Sequence, residues 1–134
     1  MDNIIKELRK LNSKAIKKNE VPISAIIVKN NRIIAKSYNK TNKNNNILDH
    51  AEIICIRKAS KKLKNWRLIN CTLYVTLEPC NMCKEIIKKS RIKKVHYFIK
   101  QNNNETEKDP IYNYCENKCL SNELSYYFKN KRKQ

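Results

Sequence analysis

Hydrophobic positions along the chain follow two periods. Over residues 2–18, Ile4, Leu8, Leu11 and Ala15 recur at the spacing of one helical face, and Asp2 stands where it would cap the first turn. Residues 19–22, ending in Pro22, break that pattern. ISAIIVK (23–29) and RIIAKSY (32–38) are β-branched runs joined at Asn30-Asn31, which predicts a hairpin. Residues 42–46 read as a polar loop. Residues 50–63 return to the helical period, with Ala51, Ile54, Cys55, Ala59 and Leu63 facing inward. CTLYVTL (71–77) is a continuous apolar strand of the kind found in mid-sheet. Pro79 suits a first helical position, so a helix is expected over residues 80–89. VHYFI (95–99) is another strand, residues 101–119 are polar and carry no clear element, and residues 120–133 form a closing helix. Its inner face would hold Leu120, Leu124, Tyr127 and Phe128, with Tyr126 and Tyr127 as helix packing rather than platforms for bases. Strands alternating with helices imply an α/β layer fold, and the hairpin makes its sheet mixed. No repeat or boundary interrupts residues 1–134, which read as a single domain.

Composition narrows the class. A chain of 134 residues, 40% hydrophobic, can build one core but not two. Thirty Lys and Arg face twelve Asp and Glu, a formal charge of +18. Such a domain usually meets a polyanion, nucleic acid first. The chain is also rich in Lys, Asn and Ile and has no Gly, as coding drift toward A and T would produce, so some lysines reflect composition alone. No apolar run of signal-peptide or membrane-spanning length is present, so a cytoplasmic protein with no membrane partner is expected, its thiols reduced. That compartment turns the six cysteines away from disulfides. Cys55, Cys71, Cys115 and Cys119 read as small buried hydrophobes.

VTLEPCNMCKE (75–85) holds the other two cysteines one helical turn apart, just behind a proline. Such a pair serves as a staple, a redox dithiol or half of a metal site. Catalytic zinc takes three protein ligands and keeps one position open. Cys80 and Cys83 supply two. Of the two histidines, His96 sits inside a strand pattern beside Tyr97 and Phe98 and reads as a strand residue without a catalytic role. His50 opens a helix in DHAEI, with Glu52 two residues on. Two helix N-termini then point at one spot, and their partial positive charge favours thiolate, so Cys80 and Cys83 should ionise readily. One zinc per chain on His50, Cys80 and Cys83 leaves Glu52 free to carry a proton between water and substrate.

H-A-E followed, after a strand, by P-C-N-M-C resembles the signature of zinc deaminases. NEVPISAIIVKNNRIIAKSYNK (19–40), HAEI (50–53), NWRLINCTLYVTLEPCNMC (65–83) and SRIKKV (90–95) together resemble the bacterial tRNA-specific adenosine deaminases of the cytidine deaminase superfamily. The match is collinear over residues 1–99, and SYYFKNKR (125–132) resembles the family's last helix more weakly. The resemblance implies a cytidine-deaminase-like three-layer α-β-α sandwich with a five-stranded mixed sheet, assembled as a homodimer. It implies hydrolytic deamination of the wobble adenosine to inosine in a tRNA anticodon arm, on a base flipped out of the loop. It also implies that Asn39, in SYNK, contacts the target nucleoside.

The chain departs from the family in three places. Ser24 stands where glycine is usual near the pocket floor. Asp49 precedes the histidine where a small neutral residue is usual, which sets a further carboxylate beside a site for anionic RNA. Residues 100–119 are shorter than the family's segment, so no RNA contacts are carried over there. The basic C-terminus, Lys129, Lys131, Arg132 and Lys133, is placed to follow the anticodon stem backbone. A free nucleoside or base deaminase acting on cytidine, cytosine or guanine shares both motifs but has no use for +18. A noncatalytic RNA-binding subunit and a structural zinc module both leave Glu52 unexplained.

Overall fold

Left-handed corners shape this chain, and without glycine it makes them from other residues. A computed structural model describes residues 1–101 and 109–132. Among them Asn19, Asn30, Asn31, Asn45 and Asn70 take positive φ, as do Lys64 and Arg91. Asparagine tolerates this region better than other residues with a Cβ. At Asn30 (φ 52°) and Asn31 (φ 63°) the consecutive left-handed pair makes the turn that matches the twist of a hairpin. That turn joins β1 (Ser24–Lys29) to β2 (Arg32–Tyr38), with Lys29 opposite Arg32.

The sheet has five strands in the order β2-β1-β3-β4-β5, the others being β3 (Cys71–Leu77), β4 (Lys94–Ile99) and β5 (Ile111–Tyr114). β1 runs antiparallel to β2 and β3, whereas β3, β4 and β5 are parallel. The helices are α1 (Asp2–Lys17), α2 (Thr41–Asn44), α3 (Ala51–Leu63), α4 (Asn81–Lys89) and α5 (Lys118–Arg132). Ile4, Leu8 and Leu11 of α1 and Leu120 of α5 pack with Ile26 and Phe98 on one face of the sheet. Ala51, Cys55 and Ala59 of α3 and Cys83 and Ile87 of α4 pack with Ile27, Leu73, Val75 and Val95 on the other. The result is the three-layer sandwich with a mixed sheet that the resemblance implied.

Several local expectations are corrected. Met1, not Asp2, takes the N-cap position of α1, and no side chain caps it. The expected loop at residues 42–46 holds α2, whose first N–H groups are taken by Glu20: Asn42 N–H donates to Oε1 (3.1 Å) and Lys43 N–H to Oε2 (2.7 Å). Glu20 is itself fully buried. Pro79 is not the first helical residue, because Cys80 is the N-cap of α4 with extended backbone (φ −70°, ψ 170°). β5 lies in the stretch that carried no clear element. It is a four-residue edge strand with Asn113 in it, too short for periodicity to register. α5 begins before residue 120, and Asn117 Oδ1 accepts the Leu120 N–H (3.0 Å) as a cap would. Leu120 and Leu124 are buried, but Tyr126 and Phe128 are exposed, so packing does not explain Tyr126.

The cysteine expectation holds for Cys55 and Cys71, which are buried, and fails for Cys119, which is exposed; Cys115 lies between. Burial pushes the Cys55 thiol up to about 12. The thiolate, the form that reacts, is therefore scarce at Cys55 at pH 8. We expect iodoacetamide at pH 8 to label Cys119 first and Cys55 only after unfolding, as read by peptide mass mapping. Early labelling of Cys55 would contradict this packing.

Candidate active site

The C-terminal end of β3 and the N-terminal ends of α3 and α4 meet at one cavity. His50 is the N-cap of α3, in extended backbone (φ −66°, ψ 154°), and Cys80 is the N-cap of α4. Cys83 follows one turn into α4. Capping positions leave the extended backbone before the first turn, so both side chains are delivered to the helix ends rather than their flanks. His50 Nδ1 lies 3.4 Å from Cys83 Sγ and 3.8 Å from Cys80 Sγ. The three donor atoms all lie within 4.8 Å of one another.

Glu52, in the first turn of α3, is buried and lines the same cavity of about 110 Å³. Its other walls include Val21, Ile23, Asn39, Leu77, Glu78 and Gln101. Burial raises the Glu52 carboxyl above its ordinary range and lowers His50, favouring a neutral imidazole. Cys83 does not ionise as readily as its helix position suggested. Burial pushes its thiol up, and the neighbouring Glu52 and Cys80 push it further. Desolvation outweighs the helix end here, so thiolate at Cys83 calls for a nearby cation.

The structure brings Asn39 to the cavity. Its backbone N–H donates to Ile23 O (2.9 Å), which fixes it at the end of β2, and its Oδ1 accepts the Thr41 N–H (3.3 Å). Ser24 does not reach the cavity floor. Its Oγ donates to Leu8 O (3.1 Å) and its N–H to Thr76 Oγ1 (3.2 Å), on the α1 side of β1. Asp49 is buried, and its carboxylate accepts from Arg57 Nη2 and Asn44 Nδ2, both at 2.7 Å. The extra carboxylate is thus turned into a clamp between α2 and α3 and does not line the cavity. His96 stacks on Tyr74 (4.9 Å between ring centres), and Tyr74 packs on the α1 side of the sheet, away from the cavity.

Two polar residues of the wall, Glu78 and Gln101, were missed. Glu78 accepts from Lys84 Nζ (3.3 Å) and from the Gln101 N–H (3.0 Å), tying β3, α4 and the end of β4 together. The one available signal was a carboxylate directly before the proline of L-E-P-C. The C-terminal part of α5 lies by the end of α1. Tyr126, Tyr127 and Lys131 share a surface groove with Ile16 and Asn19, next to Val21 of the cavity. Of the basic C-terminal set, the side chain of Arg132 and all of Lys133 fall outside the described residues.

A family model described as MafB19-like deaminase matches residues 1–133. The chain is 49% identical over 85 residues to a tRNA-specific adenosine deaminase of Rickettsia bellii, a match covering 62% of this chain and 59% of that protein. To the tRNA-specific adenosine deaminase of Buchnera aphidicola subsp. Baizongia pistaciae it is 41% identical over 131 residues, covering 85% of this chain and 79% of that one. Some of the relatives it matches are therefore spanned for less than two thirds of their length. Among solved structures, one from work on A-to-I editing by tRNA:A34 deaminases superposes with a TM-score of 0.76 at 32% identity. That superposition covers 85% of this chain and 98% of the other.

Proposed function

The chain belongs to the MafB19-like deaminase family, and from that premise we propose that it is a zinc-dependent tRNA adenosine deaminase, converting wobble adenosine to inosine. The observation that carries the reading is a buried carboxylate, Glu52, in one cavity with His50 and Cys80, which together with Cys83 form a cluster of three metal donors. The donor set fits zinc. A tetrahedral centre with ordinary Zn–S and Zn–N lengths separates nitrogen from sulfur by about 3.6 Å, and the two N···S distances are 3.4 and 3.8 Å. Two sulfurs and one imidazole suit zinc better than magnesium or calcium, which take oxygen. His50, Cys80 and Cys83 would hold one ion per chain, and zinc held there would act as a Lewis acid that makes water a nucleophile near neutral pH.

The rest is done by the chain's own residues. Glu52 takes a proton from the attacking water and delivers it to N1 of the adenine ring. It then takes the remaining proton from the hydroxyl added at C6 and passes it to the leaving amine, so the C6 oxygen becomes the carbonyl and adenosine and water give inosine and ammonia. Its raised carboxyl suits a group that must both accept and release a proton. Asn39, with Oδ1 engaged by Thr41, keeps its Nδ2 to donate to the nucleoside. The nearby carboxylates of Asp49 and Glu78 are each matched by a cation, Arg57 and Lys84, which limits repulsion of RNA. Lys131, in the groove with Asn19, and Lys129 on the same helix would serve the stem backbone. The same proposal makes the protein a single domain over residues 1–134 and a cytoplasmic homodimer. No helix among the described residues is long and apolar enough to cross a membrane.

The test is one zinc-loaded preparation given an anticodon stem-loop and, in parallel, free adenosine, cytidine, cytosine and guanine. Inosine at the wobble position with no turnover of the free compounds is expected. Rapid turnover of cytidine or guanine with none of the stem-loop would replace the proposal with a small-molecule deaminase. Tight stem-loop binding without inosine would make the protein a noncatalytic subunit.

A further inference from the structure

The strongest feature outside the active site lies at the opposite end of the sheet. A concave surface there is lined by Arg67, Ile69, Cys71, Arg91, Lys93 and Lys94, at the N-terminal ends of β3 and β4. β3 has seven residues, so this surface sits about 20 Å from the cavity at its far end. Leu68, fully buried, is the anchor; its N–H donates to Ser90 O (2.8 Å) and ties the segment to the end of α4. On either side of that anchor Trp66 and Ile69 are left 53% and 52% exposed. The Arg67 guanidinium lies 4.4 Å from the Trp66 ring centre, and that of Arg91 lies 5.9 Å from it.

Two observations separate this patch from the general positive charge. First, it uses arginine. The chain has only six arginines among its thirty basic residues, and two of the six meet at one indole. An arginine stacked on a ring keeps its N–H edge outward and fixed, a geometry suited to the oxygens of phosphate. Second, Arg91 holds a left-handed backbone (φ 71°), where the chain elsewhere mostly places asparagine. Arginine costs about 1 kcal/mol or more there, which points to its side chain being retained for use. Like most basic residues of the described chain, Arg67, Arg91 and Lys94 have no carboxylate within ion-pair distance among the described residues, so they are free to meet a ligand; Lys93 is paired with Asp109 at 3.1 Å. The last turns of α3 and α4 add Lys61, Lys62, Lys88 and Lys89, which offset the negative ends of those helices.

We propose that the Trp66–Arg67–Arg91–Lys94 surface is a second RNA contact that grips backbone phosphates remote from the target base. The guanidinium groups over Trp66 leave its ring to serve as their support rather than as a platform for a base. The proposal rests on the RNA reading above and extends it: the ligand is a structured RNA long enough to reach past the anticodon loop.

The test uses the full chain with Arg67, Arg91 and Lys94 replaced together by Gln, and a control with Lys6, Lys10 and Lys14 of α1 replaced by Gln. Binding of full-length tRNA and of an isolated anticodon stem-loop is measured across a salt series, with circular dichroism to check the fold. Loss of three phosphate contacts should make the log–log salt slope for tRNA shallower by about two and weaken binding about tenfold or more at moderate salt. Stem-loop binding should be unchanged. A single Lys94→Gln chain, which leaves the Trp66 corner intact, should show about one third of the slope change and keeps the test valid if the triple variant is misfolded. An unchanged tRNA slope, an equal change in the α1 control, or no tRNA binding by the wild type would overturn the proposal. A wild type that binds tRNA but forms no inosine would remove the proposed reaction, and the binding comparison would still decide the patch.

Discussion

Replacing Glu52 by Gln should leave the fold and the metal content intact and lower deamination by about a hundredfold to ten-thousandfold, the range supplied by a positioned acid–base group. Gln fills the same volume and keeps an oxygen at the cavity wall. What it lacks is a proton that can be taken up and released. Glu52 is buried in the first turn of α3 and is not one of the three residues that face one another as metal donors. A loss confined to turnover therefore separates it from His50, Cys80 and Cys83. The variant should melt close to the wild type, because Gln keeps the volume of the side chain it replaces and an oxygen at the cavity wall. The measurements are inosine formation on a stem-loop, zinc per chain, and thermal denaturation, on one preparation. A variant that kept a tenth of the wild-type rate would remove Glu52 from the proton transfer.

Much of this site was legible because its parts are short and rigidly placed. His50 and Cys80 are both N-caps, so a helix start in the sequence nearly fixes where the side chain goes. The hairpin was legible at Asn30-Asn31 because a left-handed pair has few residue solutions. What sequence spacing could not show were pairings across the fold. Ser24 differs from its family in a way that looked relevant to the pocket, yet its hydroxyl turns to Leu8 and Thr76. Asp49 looked like an uncompensated charge, yet Arg57 sits two turns along α3 and reaches back to it. Glu20 gave no signal at all, since its role depends on α2 arriving beneath it from more than twenty residues away. β5 was invisible for a related reason: a four-residue edge strand is specified by its neighbour β4 more than by its own pattern. The burial of Cys83, which pushes its thiol up where no cation is near, is likewise something a helix start in the sequence does not reveal.

The two cysteines should respond differently to the same substitution, and that difference tests the metal assignment. Cys80→Ser and Cys83→Ser should both reduce zinc from about one per chain to below about a tenth, because serine is a poor zinc ligand. Cys83 is fully buried in the core shared by α3, α4 and the sheet, whereas Cys80 is partly exposed. Serine at position 83 thus also places a hydroxyl in apolar surroundings, at about 1–3 kcal/mol. If bound metal stabilises the folded chain, a chelator should lower the melting temperature of the wild type to about that of Cys80→Ser. Chelator should leave Cys80→Ser itself unmoved, and Cys83→Ser should melt lower than either. Elemental analysis with thermal denaturation, each with and without chelator, reads all of these. Full zinc in Cys83→Ser would sink the assignment of that thiol. Equal melting of the two variants would instead show that Cys83 contributes to the core no more than an exposed cysteine would, against its position between α4 and the sheet.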